Sequence, residues 1–313
     1  MVRHMNALNS KKSSKVKKST KKKSASKSKE ILKKITEERF QLTTEDGITL
    51  SGSYWKQGKP KAVLLWIHGY ASHGRRYGHF ATWMANHKIL FARIDVRGHG
   101  ESSGVRGFIN KFKDYFLDID AFLLWAQKNY PGLPVILGAH SHGGLIVGRY
   151  LESASMKYPV KACIMTSPFM GLGRVIPEWK KNLAKFVTNI IPKLKVPTEV
   201  EPEQISRDHS IIEMYRKDPL VFRHATVRWF TEILKTHEQV IALASNVKIP
   251  LLMMHGADDA VVSLQALNSF YHGISSKNKT IKRYKGMLHE ILNEIGKEKV
   301  YKDMYNWICR LFP

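Results

Sequence analysis

Cysteine is nearly absent from this chain: Cys163 and Cys309 are the two in 313 residues, and they lie far apart. A disulfide framework is therefore not what stabilises the protein. Cys163 falls inside an apolar run expected to form a buried strand, so both read as inert thiols of a reducing compartment. No uninterrupted apolar stretch reaches the length needed to span a bilayer. No apolar segment follows the basic N-terminal residues directly, so they do not read as a secretory signal. No Gly-x-Gly-x-x-Gly opens a βαβ unit, which removes the usual dinucleotide site. Acidic residues are scarce as well, 26 Asp and Glu against 51 Lys and Arg, for a formal charge of +25.

That charge is unevenly placed. Residues 1–34 hold thirteen Lys or Arg and the single acid Glu30, a net of +12, and the other 279 residues carry +13. Almost nothing apolar lies between Leu8 and Ile31, and the expectation for 1–34 is a disordered basic tail that keeps the protein soluble. Docking on anionic lipid headgroups is the second reading. Nucleic-acid binding would rest on the tail alone and is not expected. The expected location is cytoplasmic, with peripheral contact on a membrane from the inside.

With 43% hydrophobic residues, the remainder is long enough for one large core with an inserted cap. Phe40 to Thr44 and Ile48 to Trp55 flank Asp46-Gly47 as a starting hairpin. Short apolar runs at Ala62 to Ile67, Ile89 to Ile94, Val135 to Leu137 and Lys161 to Thr166 alternate with helical patterns at Gly78 to His87, Tyr115 to Asn129 and Gly144 to Met156. Strands that are apolar throughout imply a mainly parallel sheet covered on both faces, an α/β class of fold. From Pro168 to about His237 the rhythm changes to helices punctuated by prolines (Trp179 to Ile191, Ser210 to Arg216, Ala225 to Leu234), and no strand is expected there. Strand and helix resume with Ile249 to His255, Leu264 to Tyr271, Lys279 to Tyr284 and a last helix from Ile291 to Leu311. The expected organisation is tail 1–34, core 35–167, helical cap 168–237 and core 238–313.

The chemistry begins at Gly138-Ala139-His140-Ser141-His142-Gly143-Gly144. A strand running into small residues around a serine, with a helix following, is how a chain places a hydroxyl on a tight turn above a helix N-terminus. Met254-His255-Gly256-Ala257-Asp258-Asp259 and Gly286-Met287-Leu288-His289 follow, giving the chain order Ser, Asp, His of one hydrolase architecture. Ser141 is the expected nucleophile and His289 the expected base. Spacing alone does not choose between Asp258 and Asp259 as the acid that orients it. The oxyanion donors should be the backbone N–H groups of His142, just after the nucleophile, and of Tyr70, in the loop after the Ala62 to Ile67 strand. The side chains of His140 and His142 should point away from the hydroxyl. Asp95 and Arg97 read as ties holding their loop to the core. His68, His73 and His79 lack metal-ligand spacing, and no metal or organic cofactor is called for.

In the cap, Val175, Trp179, Leu183, Phe186 and Ile190 recur at largely helical intervals with Lys180, Lys181 and Lys185 among them. They would either pack on the core or form an acyl-chain tunnel whose rim rests on a membrane.

These residues together resemble the monoacylglycerol lipase and lysophospholipase group of α/β-hydrolases, which is also grouped with the serine aminopeptidase-type hydrolases. The resemblance runs from about Phe40 to Leu311. It is carried by His68-Gly69-Tyr70 with Arg76-Tyr77, Asp95-Val96-Arg97-Gly98-His99-Gly100, Asp218-Pro219-Leu220 and Trp229-Phe230, besides the segments already named. It implies Asp259 as the acid, through His255-Gly256-Ala257-Asp258-Asp259-Ala260-Val261-Val262. It also implies an α/β-hydrolase fold with a cap and hydrolysis of one acyl ester in a small amphiphile. Two departures stand out: Ala139 where the elbow usually has glycine, and Ser72 where relatives often have glutamate. A peptidase would favour an acidic or polar cap, whereas this one is apolar and basic. A non-catalytic binding protein on the same fold would show a broken triad, and none is visible.

Overall fold

The computed structural model describes residues 35–313 apart from Ser155 and Glu199. The tail expected over residues 1–34 lies outside the described residues.

An eight-stranded sheet forms the centre, in the order β1-β2-β4-β3-β5-β6-β9-β10. The strands are β1 (Glu38–Thr43), β2 (Thr49–Trp55), β3 (Ala62–Ile67), β4 (Ile89–Ile94), β5 (Val135–His140), β6 (Ala162–Thr166), β9 (Leu251–Gly256) and β10 (Lys279–Tyr284). β2 pairs antiparallel with β1 and β4, and all other neighbours run parallel. The hairpin between β1 and β2 turns at Gly47, whose φ of 83° suits glycine.

Period-two geometry explains why the inner strands are apolar at every position. In β3, Val63, Leu65 and Ile67 enter one core, while Ala62, Leu64 and Trp66 enter another on the opposite face. The first core is closed by α2 (Asp114–Asn129), α3 (His142–Leu151), α6 (Val227–Ala242) and α7 (Leu264–Gly273) through Phe122, Ile146, Ile233 and Phe270. The second is closed by α1 (Gly78–Asn86) and α8 (Lys297–Leu311) through Phe80, Met84, Met304 and Trp307. The mostly parallel sheet between two helical layers is the expected α/β-hydrolase architecture.

Between β6 and β9 the chain makes an inserted, mainly helical region with α4 (Glu178–Ile190), α5 (His209–Lys217) and the start of α6. Contrary to expectation the insertion holds strand: β7 (Lys195–Pro197) and β8 (His224–Thr226) form an antiparallel ribbon. Each is three residues long, and β7 is wholly exposed, so neither has a buried alternation that a sequence pattern would register. α6 is also longer than the expected Ala225 to Leu234. Thr226 caps it by accepting from the Trp229 amide, and it continues to Ala242 against the core.

Two helix boundaries differ elsewhere. α3 begins at His142 and ends at Leu151 rather than running from Gly144 to Met156. α8 begins at Lys297, not Ile291, because Ile291 to Glu294 form a buried turn and Gly296 takes φ 83° before the helix. Arg97 and Asp95 act as expected: Arg97 bonds Asp118 at 2.8 Å and Asp46 at 2.7 and 3.0 Å. Asp95 accepts from Arg93 and from the amides of Gly74 and Glu101. Cys163 and Cys309 are free.

Candidate active site

β5 ends beside β3 in a register that pairs Trp66 with Gly138 and Ile67 with Ala139. A Cβ on Gly138 would lie 2.5 Å from the Trp66 ring, so that glycine serves the indole rather than the turn. The turn itself is Ser141, at φ 52° and ψ −118°. A non-glycine residue held there is strained, and the strain lifts its side chain clear of strand and helix. The chain then passes straight into α3, and the Gly144 amide donates to the Ser141 carbonyl at 2.8 Å. Gly143 is required by space: a Cβ would stand 2.4 Å from the Ile67 carbonyl oxygen and 2.6 Å from that of His68. Ala139 is fully buried in the first core, so its methyl is accommodated.

The loops after β9 and β10 bring the other two residues to this turn. His289 Nε2 lies 2.9 Å from Ser141 Oγ, and its Nδ1 lies 2.8 Å from Asp259 Oδ2. A carboxylate only accepts, so Nδ1 carries the proton and Nε2 is left to accept from the serine hydroxyl. Asp259 Oδ1 also accepts from the amides of Val261 and Val262, at 2.8 and 3.3 Å. Asp258 is exposed, and of the adjacent pair only Asp259 reaches the histidine.

Electrostatics follow the geometry. Burial lowers the carboxylate's advantage, but the charge and hydrogen bond of His289, with the two amides, leave Asp259 below its ordinary value. Burial likewise opposes a charged His289, and the charge and hydrogen bond of Asp259 outweigh it, so its pKa is raised.

Of the two expected amides, that of His142 heads α3, where first-turn N–H groups have no intrahelical acceptor. That of Tyr70 sits in the loop after β3. His68 holds the loop, with Nδ1–H donating to the Gly69 carbonyl at 2.7 Å while Nε2 accepts from the Val96 amide at 3.1 Å. Gly69 lets the loop approach: a Cβ there would lie 3.3 Å from the Ser141 Cβ.

The flanking histidines differ. His142 is buried away from the cavity among Tyr70, Tyr115 and Trp229. His140, contrary to expectation, lines the same cavity as Ser141, with its ring centre 4.8 Å from that of His289. Burial, then the nearby His289, pushes its pKa down to about 3, so it is a neutral ring. For three further residues no role is read in the sequence. Ser167 Oγ donates to the His289 carbonyl at 2.7 Å, fixing the loop. Arg76 and Glu290 form a buried ion pair beside it.

Ser141 and His289 stand at the floor of a cavity of about 690 Å³. Its walls are largely apolar, among them Phe169, Leu172, Ile176 and Phe230, and it opens toward Val175, Trp179 and Leu183 at the α4 end. Among the described residues no group of three or more His, Cys, Asp or Glu side chains is gathered as a metal site. No described helix is long and apolar enough to cross a membrane.

A family model described as Serine aminopeptidase, S33 matches residues 58–296. The chain belongs to this family. It is an α/β-hydrolase of the serine-hydrolase type, related to monoacylglycerol lipases and lysophospholipases. Among its relatives is Phospholipase YtpA of Bacillus subtilis, 32% identical over 250 residues, which cover 79% of this chain and 95% of that one. Human monoglyceride lipase is 28% identical over 274 residues, 86% of this chain and 89% of that one. An abhydrolase domain-containing protein of Dictyostelium discoideum is 30% identical over 276 residues, 88% of this chain, which spans only 29% of that relative's length. In three dimensions, the monoacylglycerol lipase of Paleococcus ferrophilus superposes with a TM-score of 0.73 at 24% identity, over 88% of this chain and 99% of that one. At that identity the superposition speaks for the fold.

Proposed function

We propose that this α/β-hydrolase cleaves the single acyl ester of monoacylglycerols. The observation that carries the reading is the chain of hydrogen bonds from Ser141 through His289 to Asp259 at the floor of an apolar cavity. In this reading Ser141 Oγ forms a bond to the ester carbonyl carbon as its proton passes to His289 Nε2. Asp259 holds the imidazole tautomer and stabilises the charged ring. The amides of Tyr70 and His142 take the oxyanion. His289 then gives the proton to the leaving glycerol oxygen, and the carbon–oxygen bond to glycerol breaks. Water, deprotonated by His289, attacks the acyl-enzyme carbonyl carbon, the bond to Ser141 Oγ breaks as His289 returns the proton to that oxygen, and the fatty acid is released.

The cap, taken as residues 168–237, would hold the acyl chain, and the apolar lining supports a long one. Its outer surface supports delivery from a membrane. In α4 only Thr188 is buried, while Trp179, Leu183, Phe186 and Ile190 are more than half exposed beside Lys180 and Lys185. An amphipathic helix with lysines beside an apolar stripe suits an anionic lipid surface. A cytoplasmic enzyme acting at the inner face of a membrane fits this surface and the two free thiols.

Lysophospholipid is the second reading, supported by Arg174 and Lys180 in the cavity lining, which suit a phosphate. Initial rates on monoacylglycerols of graded chain length, set beside lysophospholipids with the same chains, decide between them. Faster turnover of the glycerol esters is expected. Preference for the phosphate-bearing substrates would replace the first reading by the second.

A further inference from the structure

The loop that carries the Tyr70 amide contains one large side chain between Gly69 and His73, the ring of Tyr70 itself, followed by Ala71 and Ser72. That ring is held between the core, where His99 and His142 meet it edge-on at 5.2 and 5.6 Å, and the inserted region. It stacks on Trp229 of α6, with ring centres 3.7 Å apart and planes at 27°. Phe222 meets it edge-on at 5.6 Å. Its hydroxyl lies 3.2 Å from the carbonyls of both His224, in β8, and Gly107. Gly107 must be glycine for this: a Cβ there would stand 2.7 Å from the Tyr70 hydroxyl. The same Gly107 carbonyl accepts from Thr226 Oγ1, the N-cap of α6, at 2.7 Å. The next loop residue is tied too, since the Phe222 amide donates to the Ala71 carbonyl at 3.1 Å, and Ala71 sits at φ 57°.

We propose that the Tyr70 side chain is a positioning residue through which the cap sets the oxyanion amide of the same residue. The inference rests on the ester-hydrolase reading given above. A ring fixed at its face by α6 and at its hydroxyl by β8 leaves its own backbone little freedom. A cap that shifts takes the Tyr70 N–H with it. Catalytic competence is thereby linked to a seated cap, for any ester, including one too short to touch the cap.

That last point supplies the test, because Tyr70 and Trp229 also line the cavity. A loss on long-chain esters alone would be lost substrate contact. The full chain is therefore assayed with p-nitrophenyl acetate, active sites being counted with a fluorophosphonate. The variants are Tyr70→Phe, which keeps the stack and loses the hydroxyl, Trp229→Leu, Trp229→Phe and the double Tyr70→Phe/Trp229→Leu.

Trp229→Leu should lower kcat per active site about 10- to 100-fold with little change in KM, as expected when a reacting group is displaced by a fraction of an ångström to an ångström. Affinity for a trifluoromethyl ketone, which forms the tetrahedral oxyanion, should fall in parallel. Trp229→Phe should restore most of both, and the double variant should lose less than the product of the two single losses. Unchanged kcat per site in Trp229→Leu and Tyr70→Phe, or losses confined to long-chain esters, would overturn the inference while leaving the hydrolase reading intact. Wild-type protein without hydrolysis that depends on Ser141 would overturn both.

Discussion

Arg76 and Glu290, 214 positions apart, face each other as a two-pronged ion pair whose side chains are 9% and 7% exposed. Both terminal nitrogens of the guanidinium meet the carboxylate, the second at 2.7 Å, and Asn293 Nδ2 donates to it at 2.8 Å. The Arg76 guanidinium also lies over the Tyr215 ring of α5, 4.7 Å from its centre. The Glu290 amide donates to the Ile205 carbonyl. The residue after the proposed base is thus locked to α1's approach, to the cap and to its own loop.

Removing one partner of such a pair leaves a buried charge uncompensated. Glu290→Gln is expected to lower unfolding free energy by about 3–5 kcal/mol at neutral pH, whereas replacing both Arg76 and Glu290 with apolar residues should cost less than either alone. The acid limb carries a further signature. Burial would raise the Glu290 carboxyl, but Arg76 holds it down to about 2 against an ordinary 4.5. A lowered folded-state value means the stabilisation is present above 4.5 and is lost as pH falls toward about 2. Urea denaturation across that window should show the loss in wild type and a flatter profile in Glu290→Gln.

The proposed base must be neutral to act, and its pKa lies above the ordinary 6.5. Values of kcat/KM should therefore rise with pH around a midpoint higher than 6.5. The same raised value means that His289 contributes stability below its unfolded pKa and that this is lost as pH rises through the folded one. Asp259→Asn removes the charge that raises it and allows the wrong tautomer. That variant should lower kcat by about 10⁴-fold and move the midpoint down, while Asp258→Asn, altering an exposed side chain, should leave both in place. Equal losses in the two variants would contradict the assignment of Asp259.

Much of this arrangement was legible in the linear sequence. Runs such as Ala62 to Ile67 are apolar at every position because both faces of the sheet are covered, and that pattern needs no tertiary knowledge. Small residues around Ser141 announce the turn. The start of α3 is not legible because His142-Gly143-Gly144 is a poor helix former, while the glycines are there for the Ile67 carbonyl and Pro168 that crowd them. The β7–β8 ribbon left no periodicity to read. Arg76–Glu290 and His73–Asp218, the latter at 2.7 Å, join residues that no local spacing connects. The choice of Asp259 over Asp258 likewise lies beyond spacing and rests, in the sequence, on the family resemblance.

Gly143 and Ala139 test the turn in opposite senses. Gly143→Ala drives a methyl into two backbone carbonyls and should cost about 1–3 kcal/mol of stability, with a loss of kcat as the His142 amide shifts. Ala139→Gly removes a buried methyl from a strand end and should cost roughly 0.5–1 kcal/mol while leaving turnover in place. Thermal melts and active-site-normalised rates measure both.

On α4, Phe186 and Ile190 are 64% and 61% exposed and do not line the cavity. Phe186→Ser and Ile190→Ser should each weaken binding to vesicles containing anionic phospholipid, by roughly 1–2 kcal/mol if the side chain enters the lipid. Hydrolysis of a dissolved short ester should be unaffected. Vesicle binding equal to wild type in the double variant would remove this surface from the account, and binding that survives high salt would remove the lysines.

The most direct measurement is fatty-acid release from a monoacylglycerol by the full chain beside its Ser141→Ala variant at equal protein. Release by the wild type that falls to background in the variant is the predicted result. Release that persists without the hydroxyl, or no release from any acyl ester by the wild type, would contradict the assignment of Ser141 and with it the proposed function.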